Sequence, residues 1–156
     1  MNILRKLFGK PANLIECPRC LGKGRVDLND IKRLGQELKW TPGDCAYCDG
    51  AGKVDPDIIG KVEVNEGYLV NNLPAEEKRK LFKQDKKALG RAREFNTRID
   101  TWVEKIRQMH FEQDLSAEQI TDRLIENYPQ ILNGKRISEV RAETLDFIKK
   151  AIYQQN

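Results

Sequence analysis

The chain has 156 residues and a formal net charge of +4, which leaves room for one ordinary domain or two small ones and gives little global steering toward a polyanion. Its apolar runs fall well short of the roughly 20 residues that a membrane-spanning helix needs, and "MNILRKLFGK" lacks the apolar core of a secretory signal. The expectation is a soluble, cytoplasmic protein with no membrane span.

Residues 1–13 form an N-terminal segment in which Ile3, Leu4, Leu7 and Phe8 fall on one face of a short helix. The cysteines come next. There are four, Cys17, Cys20, Cys45 and Cys48, in two pairs of identical internal spacing. In a reducing compartment two spaced Cys-x-x-Cys pairs point to a tetrahedral thiolate zinc site rather than to disulfides. Each pair runs into Gly-x-Gly: Gly22 and Gly24 after the first, Gly50 and Gly52 after the second. A glycine there lets the chain turn tightly while backbone N–H groups approach the sulfurs. Arg19, Lys23, Arg25 and Lys53 are expected to offset the charge of about −2 that four thiolates and one dication carry.

Both copies of Cys-x-x-Cys-x-Gly-x-Gly are complete, and over residues 14–56 the sequence resembles the cysteine-rich domain of the DnaJ (heat-shock-40) co-chaperones, in a two-repeat version similar to anti-TRAP and the bundle-sheath-defective type of chaperone. The resemblance implies an extended, hairpin-like module holding one structural zinc ion and binding other proteins, among them unfolded clients. It covers about a third of the chain. The only histidine, His110, is followed by Phe111 and Glu112, so the His-Pro-Asp of a J-domain is missing and stimulation of a heat-shock-70 ATPase is not expected.

Between the repeats, Leu28, Ile31, Leu34 and Leu38 recur at helical spacing, with Asn29 or Asp30 as a cap, and predict a short inserted helix. Trp40 is expected to cover the zinc module or to pack on the next domain. Residues 57–73 read as a linker or a β-hairpin, with Val62, Val64, Tyr68 and Val70 alternating around Asn65-Glu66-Gly67. From Pro74 onward the pattern is helical, and 74–156 reads as an all-α region of about three helices. Leu81, Ala88, Ala92, Phe95, Ile99, Trp102, Ile106 and Met109 mark one long stripe. Ser116 with Gln119 is a capping-box signature for a second helix ended by Pro129, and Ile137, Val140, Leu145, Ile148 and Ile152 define a third. A surplus of stripe on the long helix provides for a homodimer.

The run 78–93 holds eight basic residues, Lys78, Arg79, Lys80, Lys83, Lys86, Lys87, Arg91 and Arg93, against Asp85 alone. A solvated helix face is the plain reading, and a phosphate-tracking surface the functional one. The leading expectation is therefore a non-enzymatic, zinc-binding adaptor or chaperone-like protein that acts on a protein partner. The alternatives are a nucleic-acid-associated regulator using residues 78–93, and a thiol-disulfide oxidoreductase. Against the last, neither cysteine pair sits at a helix start in a βαβ setting.

Overall fold

The computed structural model describes residues 13–154, so the apolar face predicted within residues 1–12 lies outside the described residues. The chain divides into two compact units, with the boundary between Arg93 and Glu94.

The first unit is built on the two cysteine repeats. Each repeat leaves its knuckle as a short arm, and the four arms pair in two antiparallel ladders: β1 (Ile15–Glu16) with β4 (Lys53–Val54), and β2 (Arg25–Val26) with β3 (Gly43–Asp44). Ladders this short bury too little to stand alone. The insert opens with helix α1 (Leu28–Arg33), whose N-cap is Asp27 rather than Asn29 or Asp30. The Asp27 side chain accepts from the Asp30 N–H while the Asp30 carboxylate accepts from the Asp27 N–H. Gly35, at φ +66°, stops the helix after six residues, and Ile31 alone of its four stripe residues is buried.

No strand forms between residues 57 and 73. A 3₁₀ turn over Pro56–Ile58 leads into a series of turns that ends at Pro74, the N-cap of helix α2 (Ala75–Phe82). The alternation that suggested a hairpin has a different origin. Val62, Tyr68 and Leu69 are buried in the first unit, while carbonyls within 62–69 accept from side chains instead of from a neighbouring strand. Asn71 likewise donates its amide to the Thr41 carbonyl.

The single long helix expected from Pro74 is broken. The chain leaves α2 at Lys83, passes through Gln84 at φ +60°, and restarts as α3 (Lys86–Phe111), with the Asp85 carboxylate accepting from the Ala88 N–H at 2.9 Å. The apolar spacing survives the break, since Leu81, Ala88 and Ala92 are all buried. The boundary between the units falls inside α3.

The second unit contains the rest of α3 with α4 (Ala117–Asn127) and α5 (Ile137–Tyr153). The capping box at Ser116 and Gln119 forms as expected. Tyr128 and a 3₁₀ turn over Pro129–Leu132 come after α4. Ile106, Met109, Ile120, Leu124, Val140 and Ile148 make the core. Arg107 donates to the carbonyls of Ala151 (2.8 Å) and Gln154 (2.6 Å), placing a cation where the end of α5 leaves carbonyls unpaired. No helix among the described residues is long and apolar enough to cross a membrane.

Candidate metal centre

Each knuckle is a tight turn whose exit needs left-handed backbone. Gly24 and Gly52 sit at φ +74°, and their N–H groups donate to Cys20 Sγ (3.3 Å) and Cys48 Sγ (3.2 Å). The two knuckles then lock each other. The Cys17 N–H donates to the Gly52 carbonyl and the Cys45 N–H to the Gly24 carbonyl, both at 2.9 Å. The approach is close enough that a Cβ on Gly24 would collide with the Gly50 carbonyl, and one on Gly52 with the Gly22 carbonyl. The glycines are thus required by contact across the knuckles as well as by the turn.

This lock gathers four sulfurs in one place. Cys17 Sγ lies 3.8 Å from Cys45 Sγ, and Cys20 Sγ 3.8 Å from Cys48 Sγ; all four lie within 4.8 Å of one another and are buried. Four cysteines so placed are positioned to hold a metal ion. The electrostatics favour one as well. The hydrogen bond from Cys45 pulls the Cys17 thiol down to about 5, while the same contact, with burial, pushes Cys45 far up; burial lifts Cys20 to about 11. The Cys17 thiolate forms readily, whereas Cys45 and Cys20 resist, because a further like charge would be crowded into a dry site. A dication removes that resistance.

Among the described residues, Arg19 is the one cation buried at this centre. Its residue is fully inaccessible, and burial pulls its guanidinium down to about 10 against the opposing pull of Cys45 and Cys17. It stacks 3.9 Å over the Trp40 ring, with the Tyr47 ring 5.3 Å away. Its donors reach the carbonyls of Val64 (2.9 Å) and Leu69 (2.6 Å), and at longer range that of Glu66 (3.4 Å). Trp40 and Tyr47 act on the same loop: Trp40 Nε1 donates to the Gly67 carbonyl (3.0 Å) and the Tyr47 hydroxyl to that of Val62 (2.8 Å). Gln36 adds a bond to the Asn65 carbonyl at 2.8 Å. The loop is therefore clasped to the cysteine module by two donors within the knuckles, Arg19 and Tyr47, and two from the insert between them, Gln36 and Trp40.

The other cations expected to serve the centre are engaged elsewhere or exposed. Lys23 bridges Asp27 and Asp30, Arg25 pairs with Asp44 at 3.1 Å, and Lys53 is exposed. The sequence places Trp40 near the module but gives no sign of the clasp. Arg19 and Tyr47 occupy the same position in the two repeats, and that equivalence is the one signal present; what they bind is backbone, and backbone carbonyls leave no mark in a sequence.

The basic run does not form one uniform surface. Lys78 pairs with Asp49; Lys80 with Glu76 (3.0 Å) and Glu77 (3.4 Å); and Arg91 with Glu77 (2.8 Å). Arg79, Lys83, Lys86, Lys87 and Arg93 are exposed and form no ion pair among the described residues. In the second unit, Arg141 pairs with Asp122 (2.8 Å) and Lys149 with Glu118 (3.5 Å), so these basic residues of α5 are tied to α4.

No protein-family model, no curated protein and no solved structure matches the chain.

Proposed function

We propose that the chain is a zinc-stapled protein-interaction module of the two-repeat DnaJ type, in which Cys17, Cys20, Cys45 and Cys48 hold one structural zinc ion and the clasped loop and helices present a surface to a protein partner or unfolded client. The observation that carries the reading is the pair of 3.8 Å sulfur separations, because zinc–sulfur bonds of about 2.3 Å put the edge of a tetrahedron at about 3.8 Å. Four thiolates fill the coordination sphere and leave no position for a reacting water, so the reading is non-enzymatic. Bound zinc supplies folding energy to a unit whose ladders are too short to hold it. The protein's own residues do the rest: the glycine N–H groups support the sulfurs, and Arg19 balances their charge.

The test has two arms. Metal analysis of the purified protein is expected to give one zinc per chain, and cobalt substitution the absorption of a tetrahedral tetrathiolate. The zinc-loaded protein is then expected to bind a permanently unfolded, carboxymethylated protein, and to lose that binding in Cys17→Ser/Cys45→Ser. Absence of metal removes the staple; metal without any unfolded-protein binding removes the chaperone-like part and leaves an adaptor. The exposed Lys83, Lys86, Lys87 and Arg93 favour a second reading, contact with nucleic acid, for which affinity should fall steeply with salt.

A further inference from the structure

A groove of about 540 Å³ opens in the first unit between the second knuckle and α2. Its floor is apolar: Ala46, Val54 and Ile58 from the cysteine module and Phe82 from α2, with Phe82 set edge-on against the Tyr47 ring at 5.8 Å. Helix α2 contributes one continuous face, since Ala75, Lys78, Arg79 and Phe82 fall three and four apart. Leu81, on a different side of α2, is buried, so the helix has an anchor apart from the groove face, which adds the Phe82–Tyr47 and Lys78–Asp49 contacts. A concave apolar floor with few polar groups is the usual form of a site that takes an apolar group.

The rim carries charge of one sign in excess. Lys53, Lys78 and Arg79 line it against Asp49 alone. Asp49 is held by Lys78, while Lys53 and Arg79 are exposed and form no ion pair among the described residues. The groove also reaches the metal centre, because Cys48 is among its lining residues and, at 7% exposure, is the least buried of the four cysteines.

We infer that this groove is a docking site for an acidic protein segment carrying one apolar anchor, the anchor on the Val54–Ile58–Phe82 floor and the acidic groups at Lys53 and Arg79. The inference rests on the zinc-module reading and names the partner chemistry of that module. Charge complementarity selects the sign of the occupant, and the apolar floor selects a side chain over a phosphate backbone, which needs cations and has no use for such a floor. Assembly of the groove depends on the metal, since the loop that delivers α2 is clasped by Arg19, Trp40 and Tyr47. Occupancy protects the metal in return, by covering Cys48.

The experiment uses the full chain, loaded with zinc and verified for zinc content before each titration. The probe is a fluorescein-labelled peptide of Asp and Glu residues with a single phenylalanine; the controls are the same peptide with alanine at the anchor, a lysine-based counterpart, and a mixed-sequence single-stranded oligonucleotide. The anchored acidic peptide is expected to raise the anisotropy, to bind about tenfold tighter than either peptide control, and to slow extraction of zinc by a chelator. Lys53→Glu/Arg79→Glu, at two exposed positions, is expected to abolish that preference with zinc content unchanged; Ile58→Asp does the same from the floor. Zinc-loaded protein that binds acidic and lysine peptides equally, or whose peptide binding ignores Lys53→Glu/Arg79→Glu, overturns the docking site and leaves the zinc module standing. Binding of the oligonucleotide alone overturns it in favour of the nucleic-acid reading. A protein without zinc overturns both the module and the site built on it.

Discussion

The two cysteine repeats share a backbone and differ in almost everything else. Both exchange the same reciprocal hydrogen bond, Cys17 N–H to the Gly52 carbonyl and Cys45 N–H to the Gly24 carbonyl, and both end in a glycine N–H on a sulfur. Between the fixed positions the residues diverge. Where the first repeat places Arg19, the second places Tyr47; where the first has an exposed Leu21, the second has Asp49 paired to Lys78. Cysteine and glycine thus set the shape of the knuckles, and the residues between them decide what the knuckles hold. The first knuckle secures the loop through a cation, and the second through a neutral hydroxyl.

Removing the zinc ion proposed for the four cysteines is expected to have the largest effect, because it takes away what the repeats are placed to share. Structural zinc sites contribute about 10–16 kcal/mol of apparent binding free energy at neutral pH, more than a unit of this size has to spare. Chelation should unfold the first unit through the loop to residue 73, while the helices of the second unit persist. Hydrogen exchange resolved by segment would show this, and protection unchanged at 62–69 would refute it. Acid acts in the same direction. Cys20, at about 11, and Cys45, pushed up further, must release protons when metal enters, whereas Cys17 at about 5 is already ionised near neutrality. The metal-bound form therefore binds fewer protons, and affinity should climb by at least about two decades per pH unit around neutrality and fall as the pH drops. Competition with a zinc indicator across pH measures the slope.

Next in size are the glycines, which test whether the knuckles are truly locked. Gly24→Ala carries a left-handed penalty of roughly 1–2 kcal/mol and an overpacking cost of roughly 1–3 kcal/mol against the Gly50 carbonyl. Gly50→Ala meets nothing nearer than the Gly24 carbonyl at 4.0 Å and carries the backbone penalty alone. Denaturation of the zinc-loaded variants should separate the two, and equal losses would mean that the cross-knuckle contact is slack.

The clasp comes third. Arg19→Met leaves the buried Leu69 carbonyl without its donor, at roughly 1–3 kcal/mol, and the part-buried Val64 carbonyl at less. Tyr47→Phe abandons only the Val62 carbonyl and should cost less. Arg19→Met also removes a cation buried at the centre, so it should weaken metal binding where Tyr47→Phe does not. Equal metal affinities in the two variants would reduce Arg19 to a tether.

The same contrast explains how far the sequence alone reaches. The knuckles are legible because a metal site and a left-handed turn each accept few residue types, and both repeats display those types at one spacing. The helices of the second unit are legible because Ser116, Gln119 and Pro129 mark the ends of α4 and the apolar stripes mark the faces. The loop 57–73 misleads because its valines alternate for reasons of burial while its carbonyls are claimed by Arg19, Trp40, Tyr47 and Gln36. The break at 83–85 is silent because it is made by Gln84 in a left-handed conformation and by the Asp85 cap, with neither glycine nor proline to announce it. The residues that carry the clasp are ordinary types in informative positions, and only the fold shows what they reach.

The smallest effect tests the outermost difference between the repeats. Leu21 and Asp49 stand at equivalent places in the knuckles with nearly the same backbone, φ +51° and φ +53°. Aspartate tolerates that conformation because its short polar side chain bonds locally, while leucine bears a cost of roughly 1–2 kcal/mol. Leu21 is 51% exposed, so it recovers only part of that cost by burial. Leu21→Asn should therefore stabilise the zinc-loaded protein by about 0.5–1 kcal/mol, whereas Asp49→Asn, which keeps a tolerant residue and gives up an exposed ion pair, should change it by less than about 0.5 kcal/mol. The gap between the two variants matters more than its size, and a shift in denaturation midpoint at constant slope reads it. A loss of stability in Leu21→Asn would mean that the leucine's contacts outweigh its strain, and that the knuckles differ in packing as well as in what they clasp.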